Sequence, residues 1–152
     1  MQENLFCKIL KIALYATFIV GVAGTVTLPF LLDFYTEFVL RSVSLSSAYR
    51  TFILPFLMVV AVPCLWVVLE MLGMMRTIPQ NPFIQRNVRA LHRVGILFMG
   101  LSIAFIFKCF FFFTFLTMFC VLAFIGAGLF SFVLAALIRQ SIVFREENDL
   151  TI

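Results

Sequence analysis

Charge is what this chain has least of. Lys, Arg, Asp and Glu together make up 12% of its 152 residues, about half the share found in soluble domains. There is too little polar surface to dissolve the 64% of residues that are hydrophobic, 21 of them phenylalanine. A water-soluble fold of this length could not hide so many rings in one core without exposing apolar patches. The solvent is therefore a bilayer.

Histidine is nearly absent too. His92 stands alone, among arginines rather than beside a nucleophile, and reads as an interfacial helix residue. Cys7, Cys64, Cys109 and Cys120 form no CxxC pair, so neither a zinc site nor a disulfide framework is signalled and they read as small apolar fillers. No GxSxG, HExxH, P-loop or dinucleotide fingerprint occurs. The chain reads as non-enzymatic, with no catalytic, metal or cofactor site. A carrier is thinly supported, because the second and third apolar runs hold no charge in their middles and no inverted repeat is evident. The net charge of +4 does not indicate direct nucleic-acid binding, since the basic residues flank apolar runs instead of forming a basic domain.

What is present is a series of apolar runs. Residues 12–32 and 51–72 are each long enough to cross the ~30 Å hydrocarbon core. From 94 to 138 Lys108 is the sole charge, and a single helix of that length would be roughly twice too long, so two spans are expected, 94–108 and 115–138. Lys108 to Thr114 is the expected reversal, with Lys108 snorkelling outward. The lysine-flanked first run is too long for a secretory signal and is expected to stay as an anchor. The expected fold is thus an all-α integral membrane protein, four transmembrane helices in an antiparallel bundle.

Several local features refine this. Ala13, Thr17, Gly21 and Thr25 on the first span, and Ala123, Ala127, Ser131 and Ala135 beside Gly128 on the fourth, recur every four residues, a spacing that lets backbones approach closely. Packing of spans one and four is expected, although the same ladder could serve a homo-oligomer. Pro29 is expected to bend or end the first span, Pro55 and Pro63 to kink the second, and Gly73 to terminate it. Residues 33–50 could hold a short interfacial helix, with Phe34, Phe38, Val39 and Leu45 as its apolar side.

The most basic stretch, residues 74–93, separates the two apolar halves. Its arginines Arg76, Arg86, Arg89 and Arg93 cannot sit in hydrocarbon. Asn81 followed by Pro82 reads as the N-cap and first position of the third helix. Arg86, Arg89 and Arg93 then form a basic stripe that can anchor to anionic headgroups or meet a partner. Glu70, near the end of the second span, is expected to pair with Arg76 or Arg93. The last residues carry a cluster of acids, Glu146, Glu147 and Asp149, ahead of Leu150 and Ile152. Placing the N-terminus inside leaves eight basic residues in the cytosol against Arg41, Arg50 and Lys108 outside, so both termini and the 74–93 loop are expected to be cytoplasmic.

Asn81-Pro82-Phe83, the later Asn87, Arg89 and Arg93, and the ending Arg145-Glu146-Glu147-Asn148-Asp149-Leu150-Thr151-Ile152 together resemble the bacterial family catalogued as domain of unknown function 2975. The similarity covers nearly the whole chain, and the terminal Glu-Asn-Asp-Leu-Thr-Ile is its most specific part. Members often carry acids after the Pro-Phe pair, where this chain has Gln85 and Arg86. The resemblance implies a bacterial inner-membrane protein whose frequent genomic neighbour is a small helix-turn-helix regulator. That association suggests a role in holding the regulator at the membrane, with Arg86, Arg89, Arg93, Glu146, Glu147, Asp149, Leu150 and Ile152 as the candidate contacts; the tail could instead fold back onto Arg86, Arg89 and Arg93 and close the bundle. The rival expectation is a small-molecule carrier or an immunity- or sensor-type membrane protein.

Overall fold

The computed structural model describes residues 5–35, 43–78 and 83–149. They form α1 (Leu5–Tyr35), α2 (Val43–Met75), α3 (Gln85–Phe111) and α4 (Phe115–Asp149). Each helix is long and apolar enough to cross a membrane, and the chain is a multi-pass, all-helical membrane protein. Helices are what lipid demands, because hydrocarbon offers no partner to a backbone N–H or C=O. On α1 hydroxyls obey the same rule by bonding back one turn, Thr17 donating to the Ala13 carbonyl at 2.9 Å and Thr25 to the Gly21 carbonyl at 2.8 Å, whereas the buried Ser102 hydroxyl of α3 has no partner among the described residues.

The helices outrun their apolar stretches. α1 continues past Pro29 to Tyr35, and α2 begins at Val43 and passes Gly73 to end at Met75. Residues 33–35 and 43–50 are therefore extensions of spans rather than an interfacial helix, while 36–42 lie outside the described residues. α3 starts at Gln85 after an extended Ile84, later than an Asn81 cap would place it; Asn81 and Pro82 themselves lie outside the described residues. α4 has 35 residues, about 52 Å of helix. Some 20 Å therefore projects beyond a ~30 Å hydrocarbon core, and the acidic tail is a continuation of this helix through Asp149.

Helices pack in chain order, α1 on α2, α2 on α3, and α3 on α4, and among the described residues α1 and α4 make no contact. The expected pairing of spans one and four is thus corrected. Gly21 on α1 faces Leu65 of α2 instead, and of α1 only Leu32 joins the described hydrophobic core. The small residues of α4 serve α3: Gly128, Ser131 and Ala135 are buried, whereas Ala123 is exposed.

The α3–α4 hairpin is the most extensive interface. At its narrowest point a Cβ on Gly95 would lie 2.7 Å from the Phe132 ring, and one on Gly128 would lie 3.3 Å from the Gly95 carbonyl oxygen. Such close backbone approach is how membrane helices gain dispersion energy without a hydrophobic drive to associate. Toward the turn, Phe124 packs on Phe98 and Phe105 at 6.0 and 5.4 Å between ring centroids, and Phe105 meets Phe56 of α2 edge-on at 5.4 Å.

Lys108 does not snorkel outward. Asn87, Val94, Leu101 and Lys108 recur every seven residues and all are buried, so Lys108 belongs to the face that α3 turns inward. Its ammonium donates to Thr117 Oγ1 at 2.6 Å and to Thr114 Oγ1 at 3.4 Å. The reversal is correspondingly short, residues 112–114, with the Phe112 N–H donating to the Lys108 carbonyl at 3.0 Å. Elsewhere Asp33 of α1 pairs with Arg50 of α2 at 2.9 Å.

Candidate functional site at the arginine end

The hairpin fixes what meets at the far end of α3 and α4. Since Lys108 is opposite Thr117 and Gly95 is opposite Phe132, antiparallel register carries Arg139 level with the first turns of α3. There Gln85, Val88, Arg89, His92 and Arg93 of α3 join Arg139 of α4 around a groove of about 630 Å³. A second hollow of about 550 Å³ shares Val88, His92 and Arg139 with it and runs on along Phe132, Ala135 and Ala136. His92 stacks at a tilt on Phe132, 5.1 Å between ring centroids. Its role here is to wall the groove.

The expected stripe is thus divided. Arg89 and Arg93 line the groove, but Arg86 does not, and Arg139, which the stripe did not include, takes its place. The missing signal was register: only once the turn is placed at 112–114 does Arg139 come to Arg89. Glu70 accepts from Arg93 at 3.2 Å and from the Trp66 indole N–H at 3.4 Å. The pairing with Arg76 is corrected, because α2 ends at Met75 and the exposed Arg76 lies in the turn beyond it. Arg93 is 58% exposed and Glu70 15%, so the pair is open on the arginine side and its contribution is small. Glu70→Gln is expected to shift unfolding of the solubilised protein by less than about 1 kcal/mol.

Asn87 joins α3 to the turn that follows α2. It is 1% exposed, and Thr77 Oγ1 donates to its Oδ1 at 2.7 Å while lying 2.9 Å from the Met74 carbonyl. That link ties the end of α2 to the start of α3 and so steadies the wall of the groove. Along the α4 extension Arg145, Glu146 and Glu147 are exposed, as are Val143 and Phe144. The Asp149 side chain, Leu150 and Ile152 lie outside the described residues.

A family model described as "Protein of unknown function (DUF2975)" matches residues 40–152. No curated protein and no solved structure matches the chain.

Proposed function

The chain belongs to this family of proteins of unknown function, DUF2975, and from that premise we propose a non-enzymatic, membrane-bound holder of a cytosolic helix-turn-helix regulator. In this reading the protein lies in the bacterial inner membrane with both termini and the arginine end in the cytosol, as the distribution of basic residues favours. The observation that carries it is the α4 extension. A rigid helix leaves the bilayer with Glu146 and Glu147 exposed at its tip and Val143 and Phe144 exposed one turn earlier. Acids over apolar side chains suit a regulator whose DNA-reading face is basic and whose core-facing grooves are apolar. While that face is engaged, DNA is excluded from it.

The test is co-sedimentation. Membranes carrying the full chain are expected to bring down the neighbouring regulator, and a chain ending at Arg145, which lacks Glu146 and Glu147, is expected to lose most of it. Added DNA bearing the regulator's own site should compete. If the regulator stays in the supernatant with both chains, the holding function is wrong.

A further inference from the structure

The groove at the arginine end differs from a merely basic surface in having two unlike parts. One part is lined by Arg89, Arg93 and Arg139 together with Gln85, Val88 and His92. The other, continuous with it through Val88, His92 and Arg139, is walled by Phe132, Ala135 and Ala136 on one side of Arg139 and by Gln140 and Val143 on the other. Arg93 shares its charge with Glu70, while among the described residues no carboxylate pairs with Arg89 or Arg139. Arg139 lies 24 residues along α4 from Phe115, just past the roughly 20 residues that cross hydrocarbon. The cations are therefore at headgroup depth, and of the apolar lining Phe132, Ala135 and Ala136 lie on the acyl side of Arg139.

From this arrangement we infer that the α3–α4 groove is a binding site for one anionic glycerophospholipid, its phosphate held by Arg89 and Arg139 and one acyl chain laid along Phe132, Ala135 and Ala136. Guanidinium forks match phosphate oxygens in pairs. A zwitterionic lipid carries the same phosphate, but its ammonium would be repelled by Arg89 and Arg139, so the site selects net negative headgroups. Nothing in this assignment depends on the regulator reading. Bound lipid would bridge the two helices at this end of the hairpin.

The experiment is lipid titration of the purified full chain in neutral detergent, read by native mass spectrometry. Phosphatidylglycerol is expected to bind on the order of tenfold more tightly than phosphatidylcholine, and the double variant R89Q/R139Q to lose most of that margin. R86Q removes an arginine of the same helix outside the groove and should leave binding within about twofold. Ala136→Phe fills the apolar part without altering charge and should weaken phosphatidylglycerol several-fold; it decides the matter if the double variant does not fold. Equal binding of the two lipids would overturn the inference. So would an R86Q effect as large as the double variant's, or unchanged binding by A136F. Inorganic phosphate occupying the site as tightly as phosphatidylglycerol would assign it to the free ion instead.

Discussion

Replacing Gly95 with leucine is expected to cost about 3 kcal/mol and to part α3 from α4, seen as unfolding of the solubilised protein at markedly lower denaturant. The reason is distance. The first carbon of any side chain at this position would come within 2.7 to 2.9 Å of three atoms of the Phe132 ring, far inside contact distance. That ring cannot simply swing aside at no cost, because it is packed on His92. On the other side, Gly128 already brings α4 to within a methyl group of the Gly95 carbonyl. A soluble protein would reseal such a breach by hydrophobic pressure, but lipid tails solvate leucine as well as a neighbouring helix does. Gly95→Ala should cause the same loss in smaller measure. Gly100→Leu is the control: a Cβ there meets nothing within 4 Å, so stability should hold. Equal stability of G95L and G100L would mean that the hairpin is not held by close approach at this point. Because Phe132 also walls the apolar hollow, G95L should disturb the arginine groove as well, and phosphatidylglycerol binding should fall with it.

How far the sequence could be read follows from which physical rule governs each feature. Charge-free length decides where a chain crosses lipid, and length is visible in one dimension; the four spans were legible for that reason. Helix ends were less so, since Gly73 and Pro29 are breakers only when no neighbouring turn continues the hydrogen-bond ladder, and here α1 and α2 run through both. Partnership was the weakest reading. A ladder of small residues says that something packs closely, not what, and Gly128, Ser131 and Ala135 turned to α3 because a three-residue turn makes α3 the nearest helix. Lys108 shows the recoverable kind of error. Counting back by sevens from it meets Leu101, Val94 and Asn87, a row with a polar residue at each end, and that row already marks it as facing inward. The groove needed both pieces of information at once. Arg89 and Arg93 are plain in the sequence, but Arg139 joins them only through the register that the hairpin imposes.

That register rests on Lys108, and Thr117→Val is expected to be the sharpest test of it. Lys108 is 7% exposed and Thr117 3%, and their 2.6 Å bond is the closest polar contact that the ammonium makes. Valine keeps the shape of threonine but removes the acceptor, leaving a largely covered cation for which Thr114, at 3.4 Å, is a poor substitute. A hydrogen bond to a charged group that loses one partner costs about 1.5 to 3 kcal/mol, and T117V should fall in the upper half of that range. Removing the charge as well should reverse most of the loss. In K108M/T117V both members are apolar and of similar size, so stability should return to within about 1 kcal/mol of the parent. Lys108→Met alone should be milder than T117V, since a threonine hydroxyl left behind can bond back to a carbonyl one turn earlier. The double-mutant cycle therefore predicts a strong, favourable coupling between the two positions. If K108M/T117V is as unstable as T117V, the lysine is not held by Thr117. The same variants carry the claim to the opposite end of the hairpin: where the Lys108 bond sets the level of Arg139 against Arg89, T117V should also weaken phosphatidylglycerol binding, and the double variant should restore it.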